Sequence, residues 1–242
     1  MSAHVHAPVF LTSSTDRAGH ARRALDCLVV FVVLICLAPL MAAIAAAIWV
    51  ESGGPVFFSQ ARLGRGGERF RLHKFRKFHA QESPSGLAVT LKNDSRMTCV
   101  GRVLERTKLD ELPQLWNIVV GEMALVGPRP ESLAFADCFD GAYNRGLDYR
   151  PGLFGPSQVV FRNESAFYEL GCDPEAFYRS VLFPLKANVD LAYFPHRTML
   201  SDAGWAIHSV LAVFGWSFLP DEAMRGIEGV ENWVQEFSQL AA

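Results

Sequence analysis

The chain has 242 residues, half of them hydrophobic, and a formal net charge of -2 at pH 7. This length suits one domain with short appendages, and the near-neutral charge provides no global basic field for binding nucleic acid. The five cysteines show neither a Cys-x-x-Cys pair nor a Cys/His metal spacing, which argues against a zinc module and against a disulfide framework.

An apolar run follows the polar N-terminus. No Asp, Glu, Lys or Arg occurs between Cys27 and Val50, and at ~1.5 Å per residue a helix of this length can cross a ~30 Å hydrocarbon core. Pro39 removes a backbone hydrogen bond near the middle and divides the run into arms of roughly 17 Å, about one leaflet each. Basic residues flank both ends and favour no orientation. Two interpretations stay open, a kinked spanning helix and a re-entrant helix with both ends on one face; the length disfavours a buried core helix.

The next segment predicts a β-hairpin followed by basic residues. Val56–Gln60 and Phe70–Phe75 have the composition of strands, and the glycine-rich turn Gly64–Gly67 joins them. This turn is not a P-loop, because the Lys-Ser/Thr ending is absent. For the basic cluster Lys74–Lys77, a solvated or headgroup-facing patch competes with phosphate binding. We expect a polar surface loop over Gln81–Ser95.

The segment Leu109–Pro130 carries the strongest chemical signal. Asp110 and Glu111 are adjacent carboxylates before a stretch of helical periodicity, and Pro113 fits the first turn of that helix. Asp110 is therefore expected at or next to a helix N-cap, where negative charge is favoured and phosphates bind. A plain helix cap explains the same residue and is far commoner than a nucleophile. The predicted apolar face consists of Leu112, Leu115, Trp116 and Val119, and Gly121 is the predicted stop.

Basic groups surround these two acids in the sequence. Arg102, Arg106 and Lys108 precede them, and the rigid turn Gly127-Pro128-Arg129-Pro130 presents one arginine after the helix. Acids that stay ionised beside fixed arginines suit chemistry on a phosphate.

The C-terminal third predicts a turn-rich segment and then helices. Arg150–Gln158 is rich in Pro and Gly and leads to Arg162. Helical periodicity resumes over Tyr178–Phe194, around Lys186 and Asp190. The last predicted elements are an apolar helix from Ser201 to Phe218 and an amphipathic helix that begins at Pro220.

Taken together, these motifs resemble the bacterial sugar transferases that start glycan assembly on a polyprenyl phosphate, the monotopic phosphoglycosyl transferases. The resemblance runs from about Arg22 to about Asp202. Its main motifs are RRxxD before the apolar run, GGPVFFSQARLGRGGERFRLHKFR, TKLDELPQLWN, GEMALVGPRPE, RPGLFGPSQVVFRN, and Lys186 with Asp190 and Tyr193. Two departures are Lys108, where the family often has serine, and Ala38 before Pro39, where Ser-Pro is frequent.

The resemblance implies a re-entrant helix broken at Pro39, with both ends cytoplasmic. It also implies transfer of a sugar-1-phosphate from a UDP-sugar to polyprenyl (undecaprenyl) phosphate, with magnesium and with release of UMP. Asp110 would be the nucleophile that forms a covalent phosphosugar-enzyme, and Glu111 would lie on the magnesium side, with Asp110 as a second metal ligand. The residues assigned to substrate phosphates are Arg129, Arg106, Lys74, Arg76 and Arg62, and those assigned to the substrate pocket are Gln158, Arg162 and Arg150.

We therefore expect an α+β protein with an N-terminal re-entrant membrane helix, a small β-hairpin or sheet element and surrounding interfacial helices. The expected units are a disordered cytoplasmic N-terminus (1–21), the membrane helix (22–50), the catalytic domain (51–200) and C-terminal interfacial helices (201–242). The expected partners are a UDP-sugar, undecaprenyl phosphate, membrane lipids and downstream glycosyltransferases, with a homodimer left open and no nucleic acid. The expected location is the cytoplasmic face of the bacterial inner membrane. Two rivals remain, a membrane-anchored phosphohydrolase of nucleotide sugars and a catalytically silent adaptor for glycan assembly.

Overall fold

The computed structural model describes residues 14–79, 96–162, 164 and 173–213. The loop predicted over Gln81–Ser95 and the helix predicted from Pro220 lie outside these ranges. The fold is mixed, with helices around two small sheets, as expected. The helices and strands are α1 (Ser14–Ser52), β1 (Phe57–Leu63), β2 (Arg69–Phe75), α2 (Cys99–Thr107), α3 (Gln114–Val120), β3 (Ala124–Val126), β4 (Gly152–Phe154), α4 (Pro156–Val160), α5 (Pro174–Phe177), α6 (Phe183–Tyr193) and α7 (Met199–Val213).

The apolar run forms the long helix α1. By length and composition, its Gly19–Ser52 portion could cross a membrane, and little of this portion is covered by the rest of the protein. The helix begins at Ser14, so residues 14–21, which we expected to be disordered, belong to it. Pro39 lies inside α1, and the helix continues past it. The two arms predicted from the sequence are therefore parts of one helical element.

The predicted hairpin is present and is fixed to α3 by one buried side chain. β1 pairs antiparallel with β2, with Phe57 opposite Phe75, and β1 extends beyond the predicted strand end. Asn117, which is fully buried, accepts a hydrogen bond from the His73 backbone N–H (3.1 Å) and donates one to the Arg71 carbonyl (2.7 Å). The Asn117 amide thus bonds to the edge of β2 as a neighbouring strand would, and it holds β2 against α3.

Close backbone contact shapes the second sheet. β3 and β4 are parallel, with Ala124 opposite Gly152 and Val126 opposite Phe154. A Cβ atom added to Gly152 would lie 2.0 Å from the backbone nitrogen of Gly127, so a side chain at Gly152 would push the two segments apart. This contact fixes the turn that begins at Gly127.

The predicted apolar face of α3 is wrong at one position. Leu115 packs in a core cluster with Ile118 and Phe70, but 57% of Trp116 is exposed. The predicted pattern begins at Leu112, but α3 begins at Gln114. The apolar positions were therefore assigned to the helix face from a residue that is not in the helix. The helix ends at Gly121 with φ of 96°, as predicted.

The N-terminal part of α1 is attached by polar contacts to the body of the protein, which is formed by β1–β4 and α2–α7. The Arg22 side chain pairs with Asp202 of α7 (Nε to Oδ2, 2.9 Å), and the Asp26 carboxylate accepts the Leu125 backbone N–H (3.2 Å). Arg23 donates to backbone carbonyls at the end of α3. These contacts join the start of the apolar run to three separate elements.

The C-terminal part of α1 is attached to the same body. Ile44 and Ile48 pack with Phe75 of β2 and Leu104 of α2. The Glu51 carboxylate accepts the first backbone N–H groups of α2, at 2.6 and 2.9 Å. A helix that carried one end across a bilayer would break one of these two sets of contacts.

We therefore expect both ends of α1 on one side of the membrane. Single cysteines replacing Gly19 and Arg69, in a background without the native thiols, should react alike with an impermeant thiol reagent in intact cells. Both should be protected there and both should be labelled after permeabilisation. Both positions are exposed in the structure, so accessibility does not differ between them. Labelling of only one of the two in intact cells would show that the helix spans the bilayer.

Candidate active site

Asp110 and Glu111 lie in a tight connection between two helices. α2 ends at Thr107, and Lys108 reverses the chain in the left-handed conformation, with φ of 57°. A single 3-10 turn, Leu109–Glu111, then leads to Pro113, which occupies the N-cap of α3. The prediction of Asp110 as an N-cap is therefore wrong. The reversal at Lys108 creates a separate turn, and that turn carries both acids.

Asp110 is buried in an arrangement that leaves one oxygen unpaired. Its exposed fraction is 2%, and its Oδ2 lies 3.6 Å from the Lys77 Nζ. The other oxygen, Oδ1, is buried and has no hydrogen-bond partner among the described residues. Burying an unpaired carboxylate oxygen costs free energy unless a ligand or ion satisfies it. Such an atom is a candidate for chemistry or for metal binding.

Lys77 was part of the predicted basic cluster but was not assigned to the site. The structure places its ammonium between Asp110 and Glu105, 3.3 Å from the Glu105 Oε1. Burial acts to lower the pKa of Lys77, but the two carboxylates more than offset burial and raise it. Lys77 therefore remains a cation and provides positive charge on one side of Asp110. Its position in a basic cluster just after a strand was the available sequence signal.

Glu111 is held by cations from two other parts of the chain. Its Oε1 lies 2.8 Å from the Lys74 Nζ and 3.8 Å from the Arg129 Nη2. Burial alone would raise the pKa of Glu111, but Lys74, Arg129 and Lys108 together lower it well below its ordinary value. Glu111 is thus ionised at any physiological pH. Two of the predicted phosphate-binding cations, Lys74 and Arg129, meet at this carboxylate.

The Gly-Pro-Arg-Pro turn places Arg129 beside the acids. The turn is held by backbone hydrogen bonds from Gly127 N–H to the Phe154 carbonyl (2.9 Å) and from Gly152 N–H to the Pro128 carbonyl (2.8 Å). Arg129 is 36% exposed in its side chain and can contact a ligand without leaving Glu111. The predicted role of this turn in presenting an arginine agrees with its geometry.

The other predicted phosphate-binding residues lie further from the acids. Arg62 donates to the Pro130 carbonyl (3.3 Å) and so stabilises the turn that carries Arg129. Arg76 donates to Ser52 and Gly53 at the end of α1, at distances from 2.6 to 3.1 Å, which makes it a cap of that helix. Arg106 is exposed in the last turn of α2. The structure does not bring Arg76 or Arg106 to the two carboxylates.

The predicted pocket residues also have other surroundings. The Gln158 side chain donates to the Gly152 carbonyl (3.2 Å) and stabilises the turn after β4. Arg162 donates to the Val213 carbonyl at the end of α7 (3.5 Å). Burial lowers the pKa of Arg162, and the charge of Glu111 partly opposes this effect. Arg150 is exposed. None of the three lines the cavity found next to Arg129.

That cavity has a polar floor built on α6. The Lys186 ammonium, 4% exposed, lies 3.1 Å from Glu164, 3.4 Å from Glu131 and 2.9 Å from the Tyr178 hydroxyl. One turn later, Asp190 accepts the Ser157 N–H (3.2 Å) and hydroxyl (2.9 Å). Burial raises the pKa of Asp190 to about 7, against the lowering effect of the Ser157 hydrogen bonds. The sequence signal was the Lys186–Asp190 spacing, which places both on one helix face.

The two adjacent carboxylates are also the best candidates for holding a metal ion. The described residues contain no group of three or more His, Cys, Asp or Glu side chains arranged for a metal. Mg²⁺ is commonly bound by one or two carboxylates together with waters and substrate phosphates. Glu111 and the unpaired Asp110 Oδ1 fit this limited donor set, provided that the substrate supplies the remaining oxygens.

Comparison with known proteins identifies a family that matches most of the chain. The family described as bacterial sugar transferase matches residues 17–216, which include α1, both acids and the Arg129 turn. A UDP-N-acetylgalactosamine-undecaprenyl-phosphate N-acetylgalactosaminephosphotransferase from Aeromonas hydrophila is 40% identical over 76% of this chain and 44% of that protein. A UDP-glucose:undecaprenyl-phosphate glucose-1-phosphate transferase from Caulobacter vibrioides is 40% identical over 57% of this chain and 53% of that protein.

A third relative matches over more of its own length. The exopolysaccharide production protein ExoY from Rhizobium meliloti is 35% identical over 66% of this chain and 79% of that protein. The chain thus spans about half the length of the first two relatives and most of the third. With the family match extending from the membrane helix to α7, the chain belongs to the bacterial sugar transferase family.

Proposed function

We propose that this protein transfers a sugar-1-phosphate from a UDP-sugar to undecaprenyl phosphate and releases UMP. The observation that carries this proposal is the buried Asp110, whose Oδ1 is unpaired while Lys77 holds the other oxygen. Beside it, Lys74 and Arg129 provide positive charge at Glu111. Two of the relatives are named as transferases of this type, one for N-acetylgalactosamine and one for glucose.

The first step uses Asp110 as the nucleophile. Its Oδ1 attacks the sugar-proximal phosphorus, an acyl-phosphate bond forms, and the bond from that phosphorus to the bridging oxygen of UMP breaks. The negative charge that develops on the phosphoryl oxygens is neutralised by Arg129 and Lys74. The Lys77 cation lies 3.6 Å from the Asp110 Oδ2 and fixes the orientation of the carboxylate. UMP leaves with the electron pair of the broken bond.

The second step returns the enzyme to its starting state. A phosphate oxygen of undecaprenyl phosphate attacks the same phosphorus, and the bond to Asp110 breaks. The product is a sugar joined to the lipid through a diphosphate, and Asp110 is again a free carboxylate. Because Asp110 lies beside the C-terminal part of α1 and β2, the lipid phosphate needs only to reach headgroup depth.

Magnesium belongs to this proposal as the partner of Glu111 and Asp110. When bound, it would neutralise the diphosphate of the nucleotide sugar and so help UMP to leave. Glu111 suits this role because it is ionised at working pH. The cations at its Oε1 hold the carboxylate in place and leave Oε2 for an ion.

The proposed place of action is the cytoplasmic face of the inner membrane, at the start of exopolysaccharide, capsule, O-antigen or glycoconjugate synthesis. Support comes from α1, which is uncovered over most of its length, and from the contacts that attach both of its ends to the body of the protein. The relative from Rhizobium meliloti is named for exopolysaccharide production. A homodimer and contacts with downstream glycosyltransferases stay predictions.

Replacing Asp110 with Asn should abolish lipid-dependent UMP release, because an amide cannot form the phosphoryl bond. We expect a loss of at least about a thousandfold, as for removal of a catalytic nucleophile. UMP release would be measured with a panel of UDP-sugars, with and without undecaprenyl phosphate. Asp137→Asn is the matched control, since Asp137 is 73% exposed in its side chain and pairs with Arg179 at the surface.

The same assay separates the rivals. UMP formation together with free sugar phosphate, independent of the lipid, would indicate the phosphohydrolase. An absence of UMP with every UDP-sugar would favour the silent adaptor. Full turnover by the Asn variant would refute the role of Asp110, once its mass shows that deamidation has not restored Asp.

Removal of the metal and Glu111→Gln should each reduce activity, and the Gln variant should respond weakly to added Mg²⁺. The reason is that the amide cannot replace the carboxylate as an ion ligand, although it keeps the shape of the side chain. The measurement is initial UMP release against Mg²⁺ concentration after treatment with EDTA. Glu68→Gln is the control acid, since Glu68 is exposed in the turn between β1 and β2, away from the proposed metal ligands. Undiminished turnover in excess EDTA would remove the metal from the mechanism.

A further inference from the structure

Apart from Arg129, the residues that line the cavity beside Arg129 have no role in the two proposed chemical steps. The walls of the cavity are aromatic, and its floor contains charged groups on α6 and next to the Arg129 turn. Its lining includes Tyr143, Tyr149, Phe194, Glu131, Lys186 and Asp190. Arg129 lines the cavity and also lies 3.8 Å from Glu111, so the cavity lies next to the arginine that contacts Glu111. A substrate whose phosphate meets Arg129 would extend one of its ends into this space.

The charges of the lining favour an uncharged group. Lys186 is already paired with Glu131 and Glu164, so the lining lacks the excess of cations that a phosphate site requires. A nucleotide sugar has two uncharged ends, the glycosyl ring and the uracil base. The cavity therefore suits an end of the substrate and not its diphosphate.

The side chains in the lining distinguish these two ends. Carboxylate oxygens accept more than one hydrogen bond each, so Glu131 and Asp190 match a ring with several hydroxyls. The three N–H groups of Lys186 are directed at Glu131, Glu164 and Tyr178, so Lys186 fixes the floor. Aromatic side chains provide flat apolar walls against which the C–H faces of such a ring can lie. Among the described lining residues there is no Asn or Gln, the side chains that would match both the donor and the acceptors of a uracil edge.

The polar floor is also held rigidly. Tyr178 donates to Glu131 at 2.6 Å, Lys186 bonds to Tyr178 at 2.9 Å, and Ser157 donates to Asp190 at 2.9 Å. Because these hydrogen bonds hold Glu131 and Asp190 in place, the acceptor positions that remain on their oxygens have one fixed geometry. Pockets built in this way reject an analogue that lacks or misplaces one hydroxyl.

We propose that this cavity binds the glycosyl ring of the nucleotide sugar and determines which sugar is transferred, an inference that rests on the proposed function. The sugar ring lies between the aromatic walls, and its hydroxyls or acetamido group meet Glu131 and Asp190. The uracil base then lies outside this cavity.

The test fills the cavity from α6 without touching a charged group. Ala187 lines the cavity, and Ala187→Leu adds bulk inside it. Ala192 is exposed on the same helix, so Ala192→Leu is the matched control. The Ala187 variant should raise the KM for the preferred UDP-sugar about tenfold or more, and by different factors for UDP-glucose and UDP-N-acetylgalactosamine. The inhibition constant of UMP should stay unchanged in both variants.

Other outcomes overturn the proposal in distinct ways. If the KM of every UDP-sugar and the inhibition constant of UMP rise by the same factor, the nucleoside lies in the cavity. An unchanged KM would show that the substrate does not enter it.

Tyr143→Ala, which enlarges the cavity, provides a second variant. It should bring the kcat/KM values for UDP-glucose and UDP-N-acetylgalactosamine closer together. Calorimetric binding of UDP-sugars and of UMP tests the cavity even without turnover, so failure of the native enzyme to release UMP counts only against the transfer reaction.

Discussion

Two adjacent acidic side chains inside the protein, Asp110 and Glu111, are the constraint on which the rest of the structure depends. A buried carboxylate is costly unless cations compensate it, and those cations must come from elsewhere in the chain. Lys74 and Lys77 come from the end of β2, and Arg129 comes from the turn after β3. The fold around them serves to keep these three cations at the turn that carries both acids.

Several buried features follow from this requirement. Asn117 binds the edge of β2 and so sets where Lys74 and Lys77 reach the site. Arg62 supports the Arg129 turn at the Pro130 carbonyl. α1 is attached at both ends to the body that holds the acids. The long apolar helix is therefore packed as part of the same structure and not as a separate appendage.

Local sequence patterns predicted the elements better than they predicted the site. The hairpin, the stop at Gly121 and the arginine-bearing turn follow from turn residues and strand alternation, which are short-range signals. The backbone reversal at Lys108 was missed because a left-handed lysine has no sequence signature. Lys77 and Arg76 are neighbours with similar side chains, and only tertiary packing directs one to Asp110 and the other to the end of α1. The cavity beside Arg129 depends on residues far apart in the chain.

The central claim is that Asp110 becomes covalently bonded to the phosphosugar, and intact-protein mass spectrometry tests it most directly. The native protein would be incubated with its preferred UDP-sugar in the absence of a lipid acceptor. The account predicts a mass increase equal to one sugar phosphate, located by peptide mapping at Asp110 and removed when undecaprenyl phosphate is added. Release of UMP without any adduct, or an adduct on another residue, would contradict it.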